Sequence, residues 1–220
     1  TLGLSKVFGV LSGGAVAVCG VSAAAAISTV LPNDKSQEKY FAFTVIGITT
    51  FSTLAMVFYP IVASYLGFSD ELAGVFIGGA IHDVAQVVGA GYTISPEAGD
   101  VATYIKLLRV ALLMPIVMMV FFAFKEKNSK MSAGVSAFIP GFLVMFFVLA
   151  LLKNVGVLPM WLIDIIRSLS SSLLVIAIAA IGVRTSLKQV LSVGWRPVLL
   201  MASESVFLAG LVILGIIFFY

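Results

Sequence analysis

The segment GGAIHDVAQVVGAGY, from Gly78 to Tyr92, holds the only histidine of the chain, His82, with Asp83 beside it and Gln86 four residues on. An imidazole titrates near neutral pH, so His82 has the chemistry to carry a coupling proton or, once charged, to hold an anion. On a continuous helix Gly78, His82, Gln86 and Gly89 would share one face. Asp83 would point about 100° away, toward some other basic group. A structural hydrogen-bond knot between helices is the competing reading. Metal catalysis finds little to work with: Gln86 stands where the second histidine of an H-E-x-x-H pattern belongs. Cys19 is a lone cysteine, so neither an internal disulfide nor a multi-cysteine metal site is available. No cofactor is expected.

Further groups with chemical potential are few. Lys106 and Arg109 lie three apart near the start of an apolar run, with Thr103 adjoining. They are candidates to pair with Asp83, Glu97 or Asp100, to snorkel to an interface, or to face an anionic substrate. Glu204 stands between Ser203 and Ser205 in another apolar run, as a proton relay or an interhelix contact. Asp164 and Arg167 have the spacing of an interfacial pair.

The rest of the chain explains why these residues are notable. Of 220 residues 61% are hydrophobic and only 10% charged, with a mean hydropathy of +1.17. A soluble domain carries about 25% charged residues, so the composition describes an all-α integral membrane protein. The net charge of +3 fits Lys- and Arg-bearing cytoplasmic loops and gives no reason to expect nucleic acid. An ionisable group inside a span costs on the order of 2.5–3.5 kcal/mol at the bilayer centre and is a functional candidate by default.

Hydropathy predicts about seven transmembrane helices: 7–33, 40–69, 72–92, 101–124, 131–152, 160–183 and 197–220. The third is interrupted by His82-Asp83 and reads as broken or re-entrant. If the spans alternate, one side receives Lys6, Lys125, Lys127, Lys130, Arg184, Lys188 and Arg196, the other Lys35, Lys39 and Lys153. The positive-inside rule then puts the chain start and the 125–130 and 184–196 loops in the cytoplasm.

Two stretches share a texture. Residues 13–26 are small throughout and pass Cys19-Gly20-Val21-Ser22; residues 170–186 run from three serines to Gly182-Val183-Arg184-Thr185. Each is followed by a polar loop and a long apolar helix. They lie five spans apart, which inverts one relative to the other, as in inverted-repeat secondary transporters. Gly20 and Gly182 are the expected helix breaks, where free backbone groups near Ser22, Arg184 and Thr185 would bind an ion or anion. Close packing of small residues alone is the alternative.

The motifs Cys19-Gly20-Val21-Ser22-Ala23, His82-Asp83-Val84-Ala85-Gln86-Val87-Val88-Gly89-Ala90-Gly91, Glu97-Ala98-Gly99-Asp100 leading to Lys106-Leu107-Leu108-Arg109-Val110, Ala180-Ile181-Gly182-Val183 and Gly194-Trp195-Arg196-Pro197 resemble the YeiH-type family of bacterial inner-membrane proteins, which carry the label of sulfate exporters. Asp83 stands where many members carry glutamate, a change that keeps the acid. The resemblance extends to the bile-acid/arsenite/riboflavin transporter superfamily. It implies a ten-helix fold of two inverted five-helix repeats with two crossed discontinuous helices. On that reading residues 1–69 hold the last two helices of the first repeat and 70–220 the second, with further helices expected before Thr1.

The functional expectation is a multi-pass secondary transporter exporting sulfate or a related oxyanion or organosulfonate by alternating access. Gly20, Ser22, His82, Gln86, Lys106, Arg109, Gly182, Arg184 and Thr185 are the candidate substrate or ion contacts. His82, Asp83 and Glu204 are the candidate proton carriers. The partners implied are the anion, the bilayer and a coupling proton or sodium ion, and a homodimer is compatible with all of this. The alternatives are a sodium-coupled organic-anion symporter, a non-transporting scaffold or sensor, and an intramembrane enzyme built on His82-Asp83, which lacks an evident nucleophile.

Overall fold

The computed structural model describes residues 3–32, 37–124 and 194–219, with scattered positions between 145 and 179. Eight bounded helices are α1 (Lys6–Ala17), α2 (Val21–Val30), α3 (Gln37–Tyr65), α4 (Asp70–Ala80), α5 (Val84–Ile94), α6 (Pro96–Ala111), α7 (Leu113–Phe124) and α8 (Trp195–Phe219). No strand occurs among the described residues.

Among the described residues three apolar stretches are long enough to cross a membrane: Glu38–Tyr65, Pro96–Phe124 and Trp195–Phe219. At 1.5 Å per residue each exceeds a hydrocarbon core of about 30 Å. The second of them is α6 and α7 joined at Leu112, whose N–H bonds back to the carbonyls of Arg109 and Val110. Pro115 explains the joint, since it donates no N–H to Ala111 and its ring crowds that carbonyl. Along α8, Phe207, Leu211, Leu214 and Phe218 are exposed, an apolar flank suited to lipid.

The first predicted span is not a span. α1 has 12 residues and α2 has 10, about 18 and 15 Å, and the chain reverses between them. A Cβ on Gly14 would strike the Ile27 side chain, although residues 14 and 27 of one continuous helix would stand about 20 Å apart. The Phe8 ring lies 5.4 Å from that of Tyr40, at the start of α3. Residues 6–30 therefore form a re-entrant hairpin with its tip at Val18-Cys19-Gly20. Gly20 has φ 66° and ψ −120°, a conformation essentially confined to glycine.

The third predicted span is re-entrant as well. α4 and α5 have 11 residues each. Asp70 and Ala73 at the start of α4 line the same cavity as Thr93 and Ile94 at the end of α5. Gly74 and Gly91 both face the Ala98 carbonyl of α6, with Cβ positions 2.8 and 3.2 Å from it. Ile81-His82-Asp83 is the tip. Gly78 and His82 thus do not share a continuous helix face, and the face expected from their spacing does not exist.

Local sequence accounts for these boundaries. Ser69 accepts from the Leu72 N–H at 3.3 Å, capping α4, and Asp70 and Glu71 complement its N-terminal dipole. Ser95 caps α6 through the Ala98 N–H at 3.1 Å, with Pro96 in the first turn.

The hairpins enter from opposite faces. Phe8, Tyr40 and Gly3, where an added Cβ would lie 3.4 Å from Arg196 Nη1, define one face; Tyr65, Asp70 and Ile94 define the other. Phe8, Leu11, Ile27, Val110, Leu113 and Met201 belong to one core cluster, and Phe76, Ile77, Ile81, Val87 and Ala102 to another. Lys6 and Lys39 consequently lie on the same face, which corrects the alternation derived from seven spans. Among the described residues that face also carries Arg196 and Glu38, whereas the opposite one carries Asp70, Glu71, Glu97 and Asp100 and no lysine or arginine.

Candidate functional site

The two hairpin tips meet. A Cβ on Gly20 would lie 3.4 Å from the His82 carbonyl oxygen and 3.0 Å from Ile48 Cγ2 of α3. Non-helical backbone inside a membrane is tolerated where protein buries it and its polar groups find partners. Here those partners come from α6.

Lys106 is fully buried, and its Nζ donates to the Val18 and Ile81 carbonyls, both at 2.9 Å. Each of those residues is the first beyond its helix, α1 in one hairpin and α4 in the other. One turn later Arg109 repeats the arrangement. Its Nη2 donates to the Val16 and Ala17 carbonyls at 2.8 and 2.9 Å. Its Nη1 donates to Gly79 and Ile81 at 2.7 and 3.2 Å. The last carbonyls of a helix carry partial negative charge and no intrahelical partner, so two cations sit against two helix C-termini. Val18 and Ile81 are 63 residues apart, as are Val16 and Gly79, so the cations read equivalent positions in the two hairpins.

With the C-termini neutralised in this way, the N-termini of α2 and α5 are left at the same level. Neither Gly20 nor Asp83 makes a side-chain capping bond at its helix. Ser22, exposed in the first turn of α2, donates to its own Cys19 carbonyl at 3.2 Å and lies 2.9 Å from the buried Cys19 Sγ. Asp83 is half-buried at the start of α5. The Ser52 hydroxyl oxygen of α3 accepts from the N–H groups of both His82 and Asp83 at 3.2 Å, which fixes the tip.

His82 is buried, with Nε2 2.8 Å from Ser205 Oγ of α8. Ser205 Oγ also donates to the Met201 carbonyl at 2.8 Å, and the imidazole tautomer sets which partner of the His82–Ser205 contact donates. Gln86 donates through Nε2 to Thr53 Oγ1 at 2.9 Å. Thr53 donates in turn to the Thr49 carbonyl, which fixes the amide orientation. Among the described residues, His82 Nδ1, Gln86 Oε1 and Glu204 Oε2 are buried without a hydrogen-bond partner. Two of these atoms belong to the tip and first turn of α5.

Of the residues anticipated, the structure gathers Gly20, Ser22, His82, Asp83, Gln86, Lys106 and Arg109 at or beside the tips. Lys106 and Arg109 bond backbone carbonyls there. Glu97 is exposed at the start of α6, and Asp100 accepts from the Tyr92 hydroxyl. Glu204 stands apart, with Oε1 accepting from Ser12 of α1 at 2.9 Å. Gly182, Arg184 and Thr185, like Asp164 and Arg167, lie outside the described residues; among the described residues the break that meets Gly20 is at 81–83. Sequence reasoning missed Ser52, Thr53 and Ser12. Ser52 did leave a signal: Thr44, Thr49, Thr50 and Thr53 of α3 each donate to the carbonyl four residues back, the usual habit of hydroxyls in apolar helices. Ser52 is the buried hydroxyl among them that reaches outward.

A family profile described as Conserved hypothetical protein 698 matches residues 1–201. A UPF0324 membrane protein of Chlorobaculum tepidum is 48% identical over 213 residues, which is 96% of this chain and 60% of that protein. The chain belongs to the UPF0324 family. The UPF0324 membrane protein TauZ of Paracoccus denitrificans is 46% identical, over 95% of this chain and 62% of its own length. A UPF0324 relative from Bordetella bronchiseptica is 35% identical over 89% of the chain and 61% of its own length. The chain thus spans about three-fifths of the UPF0324 proteins it matches. No solved structure shows a significant match. The membrane character read from composition agrees with the family's name.

Proposed function

We propose that this chain forms the substrate-handling part of a secondary transporter for a small anion, sulfate or a related oxyanion or organosulfonate, working by alternating access in a bacterial inner membrane. The supporting observation is the contact between hairpin tips from opposite faces, with Lys106 and Arg109 across their junction. Two fixed cations, one half-buried acid at Asp83 and two helix N-termini leave the region net positive. A dehydrated anion is what such a region favours. Because each hairpin reaches only to the middle from its own side, a substrate at the tips is enclosed by a different hairpin on each face. In the complete protein this arrangement is compatible with the ten-helix inverted-repeat fold that the resemblance implies. The positive-inside rule, applied to the face bearing Lys6, Lys39 and Arg196, orients that face to the cytoplasm.

The enzymatic alternative has one observation to its credit, the Ser205–His82 contact of 2.8 Å. It fails as a nucleophile–base pair: Ser205 Oγ already donates to the Met201 carbonyl, and no acid orients His82 Nδ1 among the described residues. His82 is better placed as a proton carrier, with a buried ring nitrogen that has no hydrogen-bond partner among the described residues.

The test is flux of radiolabelled sulfate, with a panel of organosulfonates beside it, in proteoliposomes holding the full-length protein under a pH gradient. Flux of at least one anion is expected, and none for any of them would end the transporter reading. His82→Ala is expected to insert normally and lose about a hundredfold or more of that flux, on the scale of a deleted proton-transfer group. A variant that transports like wild type would remove His82 from the mechanism.

A further inference from the structure

The fully buried ammonium of Lys106 sits where a coupling ion would be sought: between the C-termini of two half-helices, each offering a carbonyl at 2.9 Å. Unwound carbonyls and half-helix C-termini are the groups that hold sodium in transporters with discontinuous helices. No carboxylate lies within ion-pair distance of Lys106 among the described residues, and its hydrogen bonds go to backbone carbonyls. Arg109 occupies the neighbouring carbonyls of Val16, Ala17 and Gly79, so among the described residues the two side chains already meet carbonyls at both helix ends.

We propose that Lys106 is a tethered substitute for a coupling metal cation: it fills a sodium-type site between the two tips, and the protein is therefore indifferent to sodium. This deepens the transporter reading by excluding one co-ion, and it also stands as a statement about binding alone. Removing the side chain opens the site. Lys106→Ala leaves the Val18 and Ile81 carbonyls facing a small polar void, and a sodium ion or methylammonium fits the vacancy that the ammonium leaves.

The experiment measures melting of the full-length protein in detergent, in sodium chloride, choline chloride and methylammonium chloride at equal ionic strength. Wild type is expected to melt at the same temperature in all three. Lys106→Ala should melt about 5–10 °C lower in choline, the size expected for two orphaned buried carbonyls, and recover a measurable part of that loss in sodium or methylammonium. Lys106→Met, of similar length but uncharged, should be destabilised without recovery, because its side chain still fills the space. Stabilisation of wild type by sodium overturns the proposal without recourse to any variant. Wild-type stability in Lys106→Met, or a Lys106→Ala variant that no cation helps, overturns it too. Sodium-dependent sulfate flux by wild type would sink the substitute-cation idea and leave the transporter reading intact. A total lack of anion flux with cation rescue intact would do the reverse.

Discussion

Arg109→Ala is expected to prevent assembly of the membrane-embedded fold, giving little or no monodisperse protein in detergent. The guanidinium is the partner of carbonyls from Val16, Ala17, Gly79 and Ile81, all at the ends of re-entrant helices, and all but Ala17 belong to buried residues. Each carbonyl left without a partner costs about 1–3 kcal/mol. The losses are not additive, yet a total of about 2–6 kcal/mol follows if only two go unmet. Arg109→Lys should recover little, because an ammonium is a point charge and does not reproduce the fork that serves both hairpins at once. The check is yield and melting temperature of wild type, Arg109→Ala and Arg109→Lys from parallel preparations. An alanine variant that purifies and melts like wild type would show that the tips hold together without this residue.

Gly20→Val is the second large effect, and it acts from the other side of the junction. The backbone at φ 66° and ψ −120° strains any L side chain by about 1–3 kcal/mol. The added Cβ meets Ile48 at 3.0 Å and the His82 carbonyl at 3.4 Å, and overpacking adds about 1–3 kcal/mol. Protein that does fold should have its tips pushed apart and lose sulfate flux, with Gly20→Ala intermediate in both stability and flux. Gly9→Ala is the control: nothing beyond its own helix lies within 4 Å of its Cβ position, so flux should be unchanged and stability equal or higher by up to about 1 kcal/mol, the helix preference of alanine. If Gly20→Val kept wild-type flux, close approach of the tips would be irrelevant to activity.

Membrane character, the break at Gly20 and the interruption at His82-Asp83 were all legible in the residues. What hydropathy did not distinguish was a crossing from a return. Residues 6–30 and 70–94 each have the length and apolarity of one spanning helix, and a window that counts greasy residues carries no information on direction. The reversal depends on three-residue tips and on glycines that fit against another helix, and both are tertiary facts. Counting each hairpin as a crossing then put Lys39 opposite Lys6. Lys106 and Arg109 were recognised as costly charges, but carboxylates or substrate were sought as their partners. The backbone carbonyls that hold them do not appear in a list of side chains. The likeness between residues 13–26 and 170–186 pointed to Gly182 as the second break, whereas the tip found against Gly20 came from the interrupted segment already suspected on other grounds.

The glycines of α4 and α5 have a mechanical consequence. With Gly74, Gly78 and Gly91 the backbones of the hairpin and α6 approach so closely that a methyl group would clash, and the three helices are dovetailed into one block. α7, past the bend at Leu112, instead contributes Leu113 and Val117 to the core of the other hairpin. One membrane-crossing segment is thus shared between two bodies, and Leu112 is the joint. Parting the bodies breaks the hydrogen bonds of Lys106 and Arg109 to the α1–α2 tip while the dovetail stays shut. The plane between the tips is where the hydrogen bonds of Lys106 and Arg109 tie the two hairpins to each other.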